Sequence, residues 1–243
     1  MQLPVVHFAL KGRFGHFLHA EANKSLKSYP FPSRTSLLGL IGAILGLEKD
    51  KPQIMLDPCN IAISGRIPES FWVKNKFQQT LPAPLQFKIT KTSKGTYSYQ
   101  KPSKILWQEW LFNPFWEIWV SLPDIFQNEF ANRIEESRYH FSPCLGTTEH
   151  IAEISFIDKG FAEKSPFGDY ATSTVFSEES ALINMTKVIE CEQLAINSLK
   201  MPCALSEDRI FQYKKYFFEK NSKQIPVSTA NSYNYKGKNI IFM

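Results

Sequence analysis

YPFPSRTSLLGLIGAILGL, residues 29–47, sets two opposite chemistries side by side. The second half is apolar, with glycines at 39, 42 and 46. The first half is a stiff, proline-spaced lead that carries Arg34 and Thr35. Ser33 is placed to cap a helix, and Leu37, Leu38, Ile41 and Leu45 then share a face at helical spacing. A helix over residues 33–47 is therefore predicted. Its first turn would aim unpaired backbone N–H groups, a hydroxyl and a guanidinium at one spot, a chemistry suited to phosphate. Each glycine costs up to about 1 kcal/mol in helix propensity. Their expected return is close packing of the helix on a sheet.

Working outward, residues 5–10 read as a strand. Residues 11–17, KGRFGHF, follow as a basic-aromatic loop whose two glycines allow close backbone approach. Residues 61–67 and 117–122 read as further strands, residues 123–137 as a second helix, and residues 151–157 as a fourth strand. The order strand, helix, strand, strand, helix, strand predicts an α+β, ferredoxin-like (RRM-like, βαββαβ) domain. It would cover residues 1–160, with residues 161–243 as a C-terminal extension on the same domain. In that extension the chain reads as acidic and loop-rich up to residue 180, then as a strand over 187–196 and a terminal segment over 238–242. A turn at residues 143–150, PCLGTTEH, precedes the fourth strand, and its Gly146 and Thr147 can cradle a phosphate or simply connect.

Residues 70–108 form a long insertion without a single Asp or Glu. It holds seven lysines (74, 76, 88, 91, 94, 101 and 104), interleaved with Phe71, Trp72, Phe77, Phe87, Tyr97, Tyr99 and Trp107. Alternation on either side of residues 93–96 predicts a β-hairpin with its tip near Gly95. Lysines neutralise phosphates, and aromatic faces stack on unpaired bases for about 1–3 kcal/mol each. A solvated, aggregation-resistant hairpin is the plainer alternative, but a merely solvated surface usually mixes signs. The charge map agrees with nucleic-acid binding. Residues 1–108 carry a net +10 and residues 109–243 a net −5 within the overall +5.

Other classes are less well supported. The four cysteines at 59, 144, 191 and 203 show neither a CxxC pair nor metal-ligand spacing, so no metal or disulfide framework is expected. Neither a signal peptide nor a run of about 20 apolar residues is seen, so the expected setting is cytoplasmic, with no membrane contact and no cofactor. Metal-free RNA cleavage would need a general base, a general acid and a cation. His16, His19, His150, Lys11 and Tyr29 can supply these groups, yet no spacing sets a base against an acid. The expectation is a non-enzymatic binder. A metal-independent endoribonuclease and a protein-interaction adaptor are the alternatives.

Residues 28–35, SYPFPSRT, running into residues 38–46, LGLIGAILG, closely resemble the N-terminal signature of the fifth CRISPR-associated protein family. Residues 13–17, RFGHF, and the turn Leu145-Gly146-x-x-Glu149 are also similar to that family, in the style of the type I-B branch. The resemblance implies a repeat-associated (RAMP) fold with the insertion as a β-hairpin thumb. It implies a Cascade subunit that binds the 5′ handle of the guide RNA in antiviral defence. The implied partners are the backbone subunit of the seventh family and the large subunit of the eighth, with target DNA near the PAM as a further candidate. By position, Arg13, His16, Arg34 and Thr35 match the handle-holding region. The Tyr, Lys and His of the family's guide-cleaving branch do not align here. The expected RNA-contacting residues are Lys11, Arg13, His16, Phe17, Lys24, Arg34, Thr35, Lys91, Lys94, Lys101, Lys104, Gly146 and Thr147.

Overall fold

Alternation makes Gln2–Lys11 the central strand. Val6, Phe8 and Leu10 point to one face and Val5 and His7 to the other, and all five are buried. The strand pairs antiparallel with Phe115–Ser121 on one side and Glu153–Lys164 on the other. Asn60–Ser64 adds beyond Phe115–Ser121. Ser232–Tyr235 and then Lys238–Ile241 add beyond Glu153–Lys164, completing a six-stranded sheet. The computed structural model describes residues 2–19, 21–22, 25–78, 88–91, 97–100, 103–191, 193–206 and 208–243; for 77–78, 88–91, 97–100 and 103–104 it describes the backbone alone.

The chain is α+β and rich in sheet. The helix predicted over 33–47 is Arg34–Leu45, and the one predicted over 123–137 is Asp124–Glu135. Both pack on the face that carries Val6, Phe8 and Leu10, where Phe8 meets Phe130 edge-on at 5.9 Å. Ser33 caps the first helix as expected, its Oγ accepting the Ser36 N–H at 3.3 Å. Gly46 ends it in the left-handed conformation, φ 78°. The three glycines differ in role. A Cβ on Gly42 would lie 2.1 Å from Pro52 Cγ, so Gly42 admits the short helix Lys51–Met55, whereas a Cβ on Gly39 would meet nothing within 4 Å.

The opposite face is closed by later parts of the chain. Val5, Ala62, Trp119, Ala162, Tyr235, Ile240 and Phe242 form a second core there. Residues 172–175 bridge the two sheet edges. Thr174 pairs with Ser64, the Val175 N–H donates to Ile63 O at 2.8 Å, and the Ile241 N–H donates to Thr174 Oγ1 at 3.0 Å. The Met243 N–H also donates to Ile61 O, at 2.8 Å. The sheet thus curls into a ring.

Two expectations for the C-terminal part are corrected. Residues 158–180 are not mainly loop, because the fourth strand runs on to Lys164 and Gly168–Thr172 pairs with Ile225–Thr229. Adjacent charges at Asp158-Lys159 and Glu163-Lys164, with Phe161 exposed between them, hid the period of that strand. The strand predicted over 187–196 begins as a helix, Met185–Glu190, because Asn184 Oδ1 caps the Lys187 N–H at 3.2 Å. Its β-branched residues suggested strand, but Ile189 is exposed and lies in the helix. Ile196–Leu205 and Phe211–Glu219 form a long antiparallel hairpin instead.

An ion cluster ties the C-terminal strands to the closed face. His7 stacks on Trp119 at 4.5 Å, with Nδ1 3.5 Å from Asp158 and Nε2 3.4 Å from Glu117. Lys236 meets Asp158 at 2.7 Å and Lys238 meets Glu117 at 2.8 Å. The His7 ring, and after it Lys238, hold the Glu117 carboxyl down to about 2 against the opposing push of burial. A depressed carboxylate contributes stability above its ordinary range and loses it as pH falls toward the folded value. Melting temperature should therefore drop from about pH 5 to about pH 2, and less steeply in Glu117→Gln. Parallel pH profiles for the two proteins would show that Glu117 contributes nothing.

Candidate nucleic-acid interface

Two loops singled out in the sequence come together. Leu145, fully buried, wedges into the loop at residues 12–17, and the His16 N–H donates to Leu145 O at 2.9 Å. Gly146 has φ +91°, and a Cβ there would lie 1.8 Å from His16 O. Added Cβ atoms on Gly12 and Gly15 would lie 2.6 and 3.3 Å from Leu145. These glycines serve loop-to-loop contact rather than direct approach to a ligand.

That contact decides what each neighbouring side chain presents. Phe17 is buried edge-on against Trp116 at 5.9 Å, so its ring fills core; its place among the expected RNA contacts is corrected. His16 is 2% exposed, and its Nδ1 lies 2.7 Å from Glu109 O, so Nδ1 carries the proton. Burial lowers its pKa, and that of His150, below the usual imidazole value. His150 Nε2 and Thr147 Oγ1 are buried polar atoms without partners among the described residues. At the surface, Lys11 is paired with Glu153 at 2.8 Å, while Arg13 lies 5.5 Å over the Phe14 ring with no carboxylate partner among the described residues. Arg13 is the exposed, unneutralised cation of this loop.

The acid-free insertion forms an arm. Glu69–Gln78 and Ser103–Phe112 pair antiparallel over ten residues each, and Lys88–Lys91 pairs with Tyr97–Gln100 further out. One face of the arm's foot, with Phe71, Trp110 and Phe112, closes around Phe14. Register places Trp72, Lys74, Lys76, Ile105 and Trp107 together on the other face. Trp72 is 46% and Trp107 50% exposed, and both lysines are exposed.

The helix start is organised differently from its predicted role. The Arg34 side chain is only 11% exposed. Its guanidinium donates to Asp57 Oδ1 at 3.2 Å, Cys203 O at 3.1 Å, Cys59 O at 3.2 Å and the Asp57 carbonyl. The Thr35 hydroxyl is buried against Ser33 Oγ at 2.9 Å. Arg34 clamps the loop after the short helix to the C-terminal hairpin, and its donors are committed inside the chain. The expectation that Arg34 and Thr35 face a phosphate is corrected on that ground.

A sequence profile described as "CRISPR-associated protein (Cas_Cas5)" matches residues 5–206. The chain belongs to this CRISPR-associated family. The match runs from the central strand through the arm and into the C-terminal hairpin. Among solved structures, this Cas5-family chain is similar to one described as "CRISPR RNA-guided surveillance complex", with TM-score 0.52 and 12% identity over 93% of this chain and 90% of the other. A second, "Crystal structure of Cas protein", has TM-score 0.50 and 9% identity over 90% and 95%. At such identities the likeness is one of fold. No curated protein matches the chain by sequence.

Of the residues expected to touch RNA, the structure brings Lys11, Arg13, His16, Phe17, Gly146 and Thr147 of this Cas5-family chain into one neighbourhood. Lys24, Lys94, Lys101 and the hairpin tip at Gly95 lie outside the described residues, and of Lys91 and Lys104 the backbone alone is described. A groove at the foot of the arm was missed. It encloses about 430 Å³ and is lined from both ends of the chain, with His19 and Lys27 on one side and Asn197 and Lys220 on the other. No helix among the described residues is long and apolar enough to cross a membrane.

Proposed function

We propose that this chain is a non-catalytic subunit of a CRISPR RNA-guided surveillance complex that holds the 5′ handle of the guide RNA at one end. The observation that carries the reading is the junction of residues 11–17 with residues 143–150. It fixes the loop that presents Arg13, exposed and without a carboxylate partner among the described residues, beside an arm whose insertion has no acidic residue. The strands lie in the order fourth, first, third, second with both helices on one face, which supports a ferredoxin-like RAMP core with the insertion as its thumb. The backbone and large subunits of the complex are the proposed protein partners, type I-B the proposed branch and the cytoplasm the proposed compartment.

Burial of His16 and His150 supports a binder over a nuclease at this junction, since neither ring is open to a substrate there; His19, which lines the groove at the foot of the arm, is the candidate histidine left open. Arg13→Glu should lower affinity for repeat-derived RNA by about tenfold at low salt and leave the melting temperature unchanged, as expected for one exposed phosphate contact. Unchanged affinity would remove this loop from the interface. Repeat RNA incubated with the protein in EDTA should stay intact; specific cleavage that disappears in His19→Ala, with the melting temperature unchanged, would replace the proposal with the endoribonuclease.

A further inference from the structure

We infer that the groove at the foot of the arm is a nucleotide subsite that selects, at one position of the bound RNA, a base carrying an exocyclic amine. The inference rests on the RNA-binding reading above and names a site outside the residues 11–17 and 143–150 junction.

The floor of the groove is apolar, formed by Leu111, Leu199 and Phe218. His19, stacked on Tyr29 at 3.8 Å, forms a flat wall. Burial, with Lys27 adding to it, lowers the His19 pKa below the usual imidazole value, so this wall is an uncharged ring at neutral pH. A flat uncharged wall over an apolar floor suits an unstacked base.

One group in the groove is set to read a base edge. Glu109 Oε2 accepts the Ser28 N–H at 3.0 Å, and Oε1 accepts the Ser70 hydroxyl at 2.7 Å. Those two bonds fix the carboxylate and leave lone pairs on both oxygens. A carboxylate only accepts, so it suits the amino group of cytosine or adenine, and equally the adjacent N1–H and amino donors of guanine. The one ring N–H of uracil lies between two carbonyl oxygens that a carboxylate repels. Lys27 and Lys220 form no ion pair among the described residues and line the same groove. They are the natural phosphate contacts. The exposed lysines and tryptophans of the arm's outer face start from the same side, since Trp72 lies opposite Glu109 in the register. The strand therefore has a basic, stacking path out of the groove.

The test is fluorescence anisotropy of the full chain with short oligo(A), oligo(C) and oligo(U) RNAs. Oligo(A) and oligo(C) should bind about tenfold tighter than oligo(U). Glu109→Gln should cut that ratio severalfold. Lys220→Glu should weaken all three alike, by about tenfold, and flatten the salt slope by about 0.7. Because Glu109 also holds Ser28 and Ser70, thermal melting must first show that Glu109→Gln folds. If it does not, Lys220→Glu, an exposed change, decides the matter. Wild-type binding that Arg13→Glu weakens, with no base preference and no effect of Lys220→Glu, would overturn this subsite and leave the parent reading standing. No binding of any RNA at low salt would overturn both.

Discussion

Gly146→Ala should destabilise the protein by about 3 kcal/mol or more and lower its melting temperature by about 6–12 °C. Two causes add. A non-glycine residue at φ +91° is strained, and the new Cβ would have to occupy space 1.8 Å from His16 O. That contact is backbone, so no flexible side chain can swing aside. The turn must shift, breaking the His16 N–H to Leu145 O bond and freeing the loop that carries Arg13. RNA affinity should fall with stability. Gly39→Ala is the matched comparison: the same change in a helix where the added methyl meets nothing within 4 Å. It should be neutral or stabilising by up to about 1 kcal/mol. Equal melting temperatures for Gly146→Ala and the wild type would mean that the two loops are not joined as described.

Arg34→Ala should cost about 2–4 kcal/mol of stability. The carbonyls of Cys59 and Cys203 would lose their charged donor, and Asp57 its partner. The loop at residues 57–59 and the hairpin strand Ile196–Leu205 would lose their common tie. Arg34→Lys should recover only part of the loss, because one ammonium cannot reproduce a planar fork spread over four acceptors. The readouts are denaturant midpoint and guide-RNA affinity measured on the same samples. Reduced affinity with an unchanged midpoint would return Arg34 to the RNA-facing role and refute the clamp.

Local signals in the sequence were read well where chemistry and spacing agreed. The helix predicted over 33–47 is observed at Arg34–Leu45, within one residue at its start and two at its end, and the acid-free stretch marked the arm. The approach of the residues 11–17 loop to the Gly146 turn was not predicted, although both were singled out; nothing local says that 130 residues of chain bring them together. Arg34 was misread for the same reason, since its acceptors lie 23 to 169 residues away. A guanidinium at a helix start looks alike whether it faces a phosphate or a ring of carbonyls. The groove was invisible because it joins residues 19–28, 70 and 109 to a hairpin near residue 200.

The curled sheet has a consequence for the order of events during synthesis. Its central strand is made first, but one partner arrives at residues 153–164, and the edges are joined only when residues 172–175 and 238–243 are in place. Pairings this distant in sequence close slowly. A growing chain therefore holds an exposed, half-paired strand through most of translation, the condition under which nascent chains aggregate. The native ring cannot close before residue 243 has left the ribosome, so any surface that depends on the closed ring is completed late in the life of the nascent chain.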